Sequence, residues 1–561
     1  MVLSYEEAVA EVTGPGGRFE VGDVMVGGVT YRAFVNAPRN LGEVFAPARA
    51  RDDATFLVYE DERWSFEDVM AEVDALAAAL VGRYGVVKGD RVAIGMRNFP
   101  EWIVSFAAIT SIGAIAVSLN AWWTEEELDY ALHDCTPKVL LGDQERVARA
   151  APAAAECGTR MVAVRADGPL PEGTDRWKDV VVRGAAMPEV EVDPDDDATI
   201  LYTSGTTGNP KGAVSTHRAV IQALYGFGCR AAVDQARRRG EPSSGAPANP
   251  ATFILIVPLF HVTGSVAVML SCFSAGVKLV MMYKWDPDRA LELIEREKVT
   301  NFVGVPTQSW DLLESPRFSE FDTSSLVSVG GGGAPAPPEL VRRVASSFTQ
   351  GRPNIGYGMT ETNAYGPQNN GADYLAHPTS TGRATPILQI EVRDEDGNPL
   401  PTGERGEIWF KGPNLIRGYW GKPEATAETI VDGWLRSGDI GRIDDEGFIY
   451  VEDRAKDMVL RGGENVYCAE VEAAIYEHPA VYEAAVFGLP HPRLGEEVAA
   501  VVYPKPGRTL DAAELTEFLR PHLAPFKIPS RIEIVATQLP RNASGKILKR
   551  QLREELAGEK V

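Results

Sequence analysis

One glycine- and hydroxyl-rich segment has the composition of a phosphate-binding loop. It spans residues 202–212 and has the sequence Tyr-Thr-Ser-Gly-Thr-Thr-Gly-Asn-Pro-Lys-Gly, preceded by a strand-like Ile-Leu. Glycines let a backbone turn tightly around an anion, and successive N–H groups form an anion-binding nest. The segment therefore predicts polyphosphate binding by seven residues: Thr203, Ser204, Gly205, Thr206, Thr207, Gly208 and Lys211.

The spacing excludes two common nucleotide-binding loops. A Walker A loop that starts at Gly205 would need glycine at position 210, where the chain has Pro210. The dinucleotide fingerprint fails as well, because Gly356 and Gly358 are followed by Glu361 instead of the third glycine. A flexible surface loop is the alternative interpretation of residues 202–212.

Seven further segments follow this loop along the chain. They are Pro-Leu-Phe-His at 258–261, Gly-Gly-Gly-Ala-Pro at 331–335, Gly-Tyr-Gly-Met-Thr-Glu at 356–361, Trp-Leu-Arg-Ser-Gly-Asp at 434–439, Asp-Arg-Ala-Lys at 453–456, Gly-Gly-Glu-Asn-Val-Tyr at 462–467 and Pro-Arg-Asn-Ala-Ser-Gly-Lys at 540–546. With the loop, they resemble the ordered motifs of the adenylate-forming superfamily. That superfamily includes acyl-CoA synthetases, peptide-synthetase adenylation domains and beetle luciferases. Two positions depart from its pattern: Ser437 replaces the usual Thr, and Cys468 the usual Pro.

The resemblance implies a ligase reaction in two halves. A carboxylate attacks the α-phosphate of ATP and gives acyl-AMP with pyrophosphate, and a thiol, usually that of coenzyme A, then displaces AMP. Both halves move negative charge, so catalysis should depend on positioning and electrostatic stabilisation. The expected ligands are ATP, Mg²⁺, coenzyme A and a small-molecule carboxylic acid.

Four residues are the predicted catalytic set. By resemblance, Lys546 bridges the carboxylate and the α-phosphate, and Thr360 donates to that phosphate. Glu361 is the expected metal ligand, since Mg²⁺ favours a carboxylate together with phosphate oxygens. His261 is expected to gate the entrance for acid and thiol. Each role has an alternative. Lys546 could be a solvated surface lysine, Thr360 and Glu361 could form a helix N-cap, and His261 could be a core histidine.

A second set is expected to bind the nucleotide. Tyr357 resembles the family aromatic residue that lies against adenine, and Asp439 and Arg454 the residues that contact ribose. For these two charged residues, a surface salt bridge is the alternative. The complete predicted set around the base and ribose is Gly333, Ala334, Pro335, Tyr357, Gly358, Met359, Asp439 and Arg454.

The expected acid is a medium- to long-chain fatty acid. Acetyl-CoA synthetases have tryptophan at the position that matches Gly358, and the predicted pocket residues Gly330, Gly331 and Gly332 carry no side chains, so the tunnel should admit more than acetate. Phe260 completes the predicted pocket. A turn is the alternative interpretation of the glycine run, but four successive glycines after a strand-like segment favour a place where something approaches the backbone closely.

Several alternatives remain open. They are an aryl- or branched-acid CoA ligase, an acyl-AMP ligase that loads a separate carrier protein, a luciferase-like oxygenase, and a nucleotide-binding sensor without catalysis. No Leu-Gly-x-Asp-Ser carrier attachment sequence is present, and no G-x-S-x-G elbow supports a serine hydrolase. Cys468 is interpreted as a packing variation, because no histidine partner lies nearby in the sequence.

The elements that would position these residues follow an α/β pattern. Helical segments at 66–84, 101–112 and 125–134 alternate with strand-like segments at 91–96, 114–119 and 139–141, which predicts a parallel sheet. Residues 387–449 change to short strands and turns. The predicted fold is a large N-terminal domain of two βα-layered subdomains plus a β-rich subdomain, followed by a small mobile α+β C-terminal domain.

The predicted domains are 1–453, with the acyl and ATP sites, and 454–561, which carries the catalytic lysine. The boundary falls at residues 453–456, and Lys456 matches the family hinge, which lets the C-terminal domain rotate between the half-reactions. A homodimer is the oligomeric state that the resemblance implies.

Composition limits the partners. A net charge of −23 argues against nonspecific nucleic-acid binding. Five scattered cysteines without a C-x-x-C pair predict reduced thiols in a cytoplasmic protein. Residues 102–124 and 252–277 carry no charged side chain, but glycine, proline and polar residues interrupt them, so buried elements are predicted instead of membrane spans.

Overall fold

The computed structural model describes residues 3–203, 210–239, 249–454, 457–461, 464–543 and 545–558. Six predicted site residues therefore lie outside the described residues: Ser204, Gly205, Thr206, Thr207, Gly208 and Lys456.

The strands account for the three main sheets and a separate N-terminal hairpin. In chain order they are β1 (Val21–Val26), β2 (Val29–Phe34), β3 (Thr55–Tyr59), β4 (Glu62–Ser65), β5 (Arg91–Gly95), β6 (Ile115–Ser118), β7 (Val139–Asp143), β8 (Arg160–Val164), β9 (Thr174–Arg176), β10 (Asp197–Tyr202), β11 (Gly212–Thr216), β12 (Thr252–Leu255), β13 (Lys278–Met281), β14 (Asn301–Gly304), β15 (Ser328–Gly332), β16 (Arg352–Gly356), β17 (Gln368–Asn370), β18 (Gly382–Arg383), β19 (Gln389–Arg393), β20 (Gly406–Lys411), β21 (Gly418–Tyr419), β22 (Ile430–Val431), β23 (Trp434–Ile443), β24 (Phe448–Arg454), β25 (Val459–Arg461), β26 (Glu464–Val466), β27 (Val481–His491), β28 (Gly495–Pro504) and β29 (Arg531–Ile534).

The helices fill the connections between the strands. They are α1 (Tyr5–Val12), α2 (Leu41–Phe45), α3 (Phe66–Gly82), α4 (Pro100–Ser111), α5 (Glu125–Cys135), α6 (Gln144–Cys157), α7 (Trp177–Val180), α8 (His217–Arg237), α9 (Ser271–Ala275), α10 (Pro287–Glu297), α11 (Pro306–Glu314), α12 (Pro338–Ser347), α13 (Gly371–Ala376), α14 (Pro423–Thr429), α15 (Cys468–Tyr476), α16 (Ala512–Leu519) and α17 (Lys549–Ala557). Short 3₁₀ helices cover Ala46–Arg51, Phe318–Glu320 and Thr360–Thr362, and a π-helix covers Thr263–Leu270.

The first large sheet has the order β21-β11-β10-β6-β5-β7-β8-β9. Strands β10, β6, β5, β7, β8 and β9 run parallel, as the alternation of helices and strands predicts. Strand β11 returns antiparallel to β10, and β21 pairs with β11 from a part of the chain about two hundred residues later. The phosphate-loop hairpin is therefore joined to the segment around Tyr419.

The second large sheet joins a parallel half to an antiparallel half. The parallel half has the order β16-β15-β14-β12-β13-β3, and β17, β18, β24, β23, β20 and β19 extend the sheet antiparallel. This antiparallel half corresponds to the predicted β-rich segment, and it brings β23 and β24 to the same sheet as the glycine strand β15.

A third sheet contains β25 to β29 and is packed with α15, α16 and α17. The α/β architecture with a smaller C-terminal α+β unit is thus confirmed. The two charge-free stretches are buried elements: α4 is buried at every position from Pro100 to Thr110. Among the described residues, no helix is long and apolar enough to span a bilayer.

Candidate active site

The base of the phosphate loop is closed and anchored. Thr203 N donates to Lys211 O at 2.9 Å, where β10 and β11 meet the loop. Two tyrosine hydroxyls tie this base to neighbouring groups: Tyr202 donates to Asp134 of α5 at 2.8 Å, and Tyr130 of α5 donates to Pro210 O at 3.2 Å. Tyr202 and Pro210, on either side of the loop, are therefore both held against α5.

Tyr419 connects the phosphate loop to Glu361. Its hydroxyl donates to Glu361 Oε1 at 2.7 Å, and the Lys211 ammonium lies 4.9 Å from its ring centroid. Glu361 is buried, with 7% of its surface exposed, and burial raises the pKa of its carboxyl group, while the Tyr419 hydrogen bond opposes that rise. Tyr419 was not among the residues predicted from the sequence.

The turn that carries Thr360 and Glu361 is strained and tightly held. Asn363 and Ala364 have φ values of 53° and 62°, in the left-handed region that non-glycine residues rarely adopt. The buried Asn363 amide donates to Asn414 O at 3.0 Å and shares a hydrogen bond with Ser215. Such strain concentrates at functional sites, where surrounding contacts sustain it.

The N-cap alternative for Thr360 is not what the structure shows. The short helix begins after Met359, and the Thr362 hydroxyl accepts from Met359 N at 3.1 Å. The Thr360 side chain is therefore not used as the cap. Its predicted contact with a phosphate stays a prediction.

The predicted ribose ligands face each other across two strands. Asp439 of β23 and Arg454 of β24 are paired in register, with Arg454 Nε 3.6 Å from Asp439 Oδ1. The Tyr357 hydroxyl donates to Asp439 Oδ2 at 2.5 Å, and Ser437 Oγ accepts from Asp439 N at 3.0 Å. Serine thus provides the hydroxyl that the usual threonine would supply at position 437.

Asp439 is a buried carboxylate, although its ion-pair partner Arg454 is about half exposed. Asp439 is 8% exposed, and burial raises the pKa of its carboxyl group, whereas Tyr357, Arg454 and Lys546 oppose that rise. A buried carboxylate between a tyrosine hydroxyl and an arginine is a polar group held for hydrogen bonding.

The glycine strand β15 is explained by close backbone contacts. A Cβ atom on Gly330 would lie 2.0 Å from Asn354 O, one on Gly331 would lie 1.8 Å from Gly304 O, and one on Gly332 would lie 2.4 Å from Gly356 O. The expected close approach is therefore real, but it comes from the neighbouring strands β14 and β16. Backbone of β14 and β16 fills the space beside these glycines, so their missing side chains do not support the prediction of an acyl tunnel.

Gly358 also has a local cause. A Cβ atom there would lie 2.5 Å from Ala364 O, inside the strained turn. A tryptophan would not fit on this backbone, so Gly358 does not by itself report the length of the acid. Met359 packs against the main hydrophobic core beside Tyr357.

Lys546 extends from the C-terminal unit to the end of β15. A Cβ atom on Gly333 would lie 3.9 Å from Lys546 Cε, and Gly333 has a φ of 85° that glycine adopts without strain. The loop behind the lysine is firmly held: Lys546 N donates to Asn542 Oδ1 at 2.9 Å, and Asn542 N donates to Lys546 O at 2.8 Å. Ala334 is partly buried and Pro335 is exposed directly after this contact.

The charge environment of Lys546 differs from that of a solvated lysine. Burial lowers the pKa of its ammonium from 10.5 to about 8, and Arg454 contributes in the same direction, while Asp439 and Glu361 oppose it. These interactions place the predicted groups for phosphate, ribose and carboxylate in one electrostatic cluster. Lys546, Glu361, Asp439 and Arg454 are thus brought close enough to interact electrostatically.

His261 belongs to the same region. Burial lowers the pKa of its imidazole to about 4, with a further contribution from Lys546, so the ring is neutral at pH 7. His261 Nδ1 accepts from Thr263 N at 3.3 Å, where the π-helix begins, and Phe260 and His261 are both partly buried. The ring suits a gate or a hydrogen-bonding group better than a proton donor.

Asn98 fixes the backbone that carries His261. Its buried amide donates to Val257 O at 3.0 Å and accepts from Leu259 N at 2.8 Å. These two bonds join the end of β5 in the first sheet to the loop after β12 in the second. Sequence reasoning missed Asn98, because its role depends on a contact between segments about 160 residues apart.

Comparisons with known proteins identify the family. The AMP-binding enzyme family model matches residues 44–420, and the AMP-binding enzyme C-terminal domain model matches residues 470–546. The long-chain-fatty-acid–CoA ligase of Bacillus subtilis (strain 168) is 33% identical over 552 residues, covering 92% of this chain and 94% of its own length. The feruloyl-CoA synthase of Amycolatopsis sp. is 35% identical over 509 residues, covering 90% and 96%.

Solved structures of related enzymes have a similar fold. ATP-bound MatB from Rhodopseudomonas palustris superposes with a TM-score of 0.79 at 32% identity and covers 93% of this chain and 100% of its own. Anthranilate CoA ligase AuaEII in complex with anthranoyl-AMP superposes with a TM-score of 0.81 at 27% identity, covering 92% and 98%.

The candidate site contains two buried carboxylates, Glu361 and Asp439, and a lysine from the C-terminal unit, and the matching family models define the class of the protein as an enzyme. The chain belongs to the AMP-binding enzyme family, the adenylate-forming superfamily.

The residues also fit the ligands that this family implies. The Glu361 carboxylate is the type of single oxygen donor that Mg²⁺ uses together with substrate phosphates. Within the described part of the chain, only Val305 and Lys546 lie within 4 Å of a Cβ atom added to Gly333, which leaves room for a flat group beside the lysine.

Proposed function

We propose that this chain is an AMP-forming acyl-CoA synthetase. It activates a carboxylic acid with ATP to give acyl-AMP and pyrophosphate, and it then transfers the acyl group to coenzyme A. The observation that carries the proposal is the position of Lys546, close to Gly333 and in the same charge cluster as Glu361, Asp439 and Arg454.

The first half-reaction needs positive charge near the α-phosphate. Lys546 and Arg454 provide it, and Lys211 lies beside Tyr419 at the base of the phosphate loop. Asp439 accepts hydrogen bonds from the ribose and orients the nucleotide. Glu361 would hold Mg²⁺, which neutralises charge on the phosphates. Catalysis then depends on fixed charges and positioning, which avoid reorganisation during the reaction.

The second half-reaction needs Lys546 to leave. We propose the domain boundary between residues 453 and 454, with Lys456 as the hinge. In the described chain β24 ends at Arg454 in the second sheet, and β25 begins the third sheet at Val459. Rotation of the C-terminal unit about this junction would withdraw Lys546 and open access for the thiol of coenzyme A.

For the acid, we propose a medium- to long-chain fatty acid, with an aryl acid as the second candidate. The similarity to the Bacillus subtilis fatty-acid ligase supports the first, and the feruloyl-CoA synthase of similar identity supports the second. The magnesium requirement, a cytoplasmic location, a homodimer and a role in fatty-acid metabolism are further proposals, which rest on the resemblance and the cysteine pattern.

A substrate panel tests the activity and separates its alternatives. Pyrophosphate release is measured with acetate, octanoate, palmitate, benzoate and ferulate, each with and without coenzyme A. We expect release with octanoate or palmitate, and acyl-CoA formation when coenzyme A is present. Preference for acetate would refute the fatty-acid proposal, and preference for ferulate would favour the aryl acid. Acyl-AMP that accumulates despite coenzyme A would favour a carrier-protein ligase.

A further inference from the structure

One hydrogen bond between the C-terminal unit and the N-terminal part involves Tyr482. The Tyr482 hydroxyl, on β27, donates to Asp311 Oδ1 on α11 at 2.6 Å. The other oxygen of Asp311 accepts from Trp285 Nε1 at 2.9 Å. Both carboxylate oxygens are therefore occupied, and one of the two donors comes from the unit that carries the lysine.

Tyr482 is connected to Lys546 by a chain of short contacts. The next residue, Glu483, is buried and accepts from Leu539 N and from Arg541 Nη2, each at 2.7 Å. Arg541 Nη1 in turn donates to Gly545 O at 2.8 Å, next to the lysine. The strand that carries Tyr482 and the loop that carries Lys546 are thus tied into one body.

Helix α11 receives this body at two points. Val305, directly before the helix, would lie 2.9 Å from a Cβ atom on Gly545, and it also borders Gly333. Asp311 lies further along the same helix and contacts Tyr482. The lysine contact and the Tyr482 contact therefore form together when the C-terminal unit docks on α11.

We propose that Tyr482 is a positioning residue. It favours the arrangement in which Lys546 lies beside Gly333, called here the lysine-in arrangement. The inference rests on the proposed function, because it matters only if Lys546 must enter for adenylation and leave for acyl transfer. A hydrogen bond to a carboxylate is among the stronger kinds in proteins. Its loss should deplete the lysine-in arrangement without changing the groups that contact ATP.

The test separates the two half-reactions in Tyr482→Phe. Single-turnover acyl-AMP formation is followed by pyrophosphate release, starting with octanoate and ferulate as probes, and acyl transfer is followed from preformed acyl-AMP with coenzyme A. We expect acyl-AMP formation to slow by about tenfold, the effect of losing one charge-assisted hydrogen bond. Acyl transfer should be unchanged or faster, since it does not use the docked lysine.

Tyr503→Phe is the matched control. Tyr503 lies on the neighbouring strand β28, with its ring centroid 5.8 Å from that of Tyr482. Removal of the Tyr503 hydroxyl should leave both half-reactions unchanged. Asp311→Asn should slow the first half-reaction, and the double variant with Tyr482→Phe should be little worse than Tyr482→Phe alone, because the two substitutions remove one interaction.

Two results would overturn the inference: equal slowing of both half-reactions in Tyr482→Phe, or no slowing of the first. Thermal unfolding of each variant reports any loss of folding. If the wild-type protein releases no pyrophosphate with any acid, the proposed function fails. A different result would refute only the role of Tyr482. In that case the wild-type protein releases pyrophosphate, Lys546→Ala does not, and Tyr482→Phe releases it at the wild-type rate.

Discussion

The Tyr419 hydroxyl donates to Glu361 Oε1 at 2.7 Å, and this bond joins two segments that the chain separates by 58 residues. Tyr419 lies on β21, which pairs with β11 directly after the phosphate loop. Tyr419 therefore contacts the expected metal ligand, Glu361, and lies on the strand that pairs with β11 beside the phosphate loop.

We expect Tyr419→Phe to weaken the first half-reaction. The variant removes the donor that offsets the burial of Glu361, so protonation of the carboxyl becomes easier and metal binding weaker. The loss should be about tenfold in kcat/KM for ATP, and it should be partly restored by excess Mg²⁺. Steady-state kinetics over a magnesium series checks this.

The matched control is Tyr84→Phe, which removes a tyrosine–carboxylate bond of 2.7 Å to Asp175 outside the cluster. It should leave the magnesium dependence unchanged. A Tyr419→Phe variant with the wild-type dependence on Mg²⁺ would contradict the role assigned to Tyr419.

The pH dependence should show the state of Lys546. Its ammonium must be protonated to face an anion, and burial lowers its pKa to about 8. The kcat/KM for ATP reports the free enzyme, so it should be flat below this pKa and fall as the pH rises through it. Lys546→Arg keeps its charge over this range, so any residual activity should lack the alkaline fall.

A wild-type profile that stays flat to about pH 9.5 would show that the lysine keeps an ordinary pKa near 10.4. In that case the lysine would not be desolvated in the resting enzyme.

The glycine strand predicts a stability effect. Gly331→Ala would place a methyl group 1.8 Å from Gly304 O, so strands β14 and β15 must separate. We expect the free energy of unfolding to fall by about 3 kcal/mol. Gly82→Ala is the control, because Gly82 ends α3 and no atom of the described residues outside its own helix backbone lies within 4 Å of an added Cβ atom. Alanine there should stabilise by about 0.5 kcal/mol.

Thermal unfolding of both variants measures the difference. An unchanged melting temperature for Gly331→Ala would mean that the strands accommodate the methyl group, and the close approach would no longer explain the glycine.

The sequence contained enough information to predict the local elements and to select the charged residues of the candidate site. Helix α5 has a recognisable start in the sequence. The Thr124 hydroxyl accepts from Glu127 N and the Glu127 side chain accepts from Thr124 N, so the two residues form a capping box. Glu361, Asp439 and Lys546 lie in ordered motifs, and the fold brings them together.

Other features depend on three-dimensional contacts that no local pattern contains. Asn98 and Tyr419 act across sheet pairings, and Tyr482 acts between units. Gly330, Gly331 and Gly332 were correctly expected to allow a close approach, but only the strand register shows that the approaching group is backbone. The π-helix Thr263–Leu270 is apolar on most of its surface, so its period gave no distinct signal.

The most direct test of the whole account is acyl-AMP formation by Lys546→Ala. Pyrophosphate release in a single turnover should fall by about a hundredfold or more, since an electrostatic contact to the reacting phosphate is removed. Transfer from preformed acyl-AMP to coenzyme A should continue. Lys527→Ala, which removes a lysine paired with Glu470 at 2.7 Å, should behave as the wild-type protein in both steps. Acyl-AMP formation at the wild-type rate in Lys546→Ala would contradict the central claim.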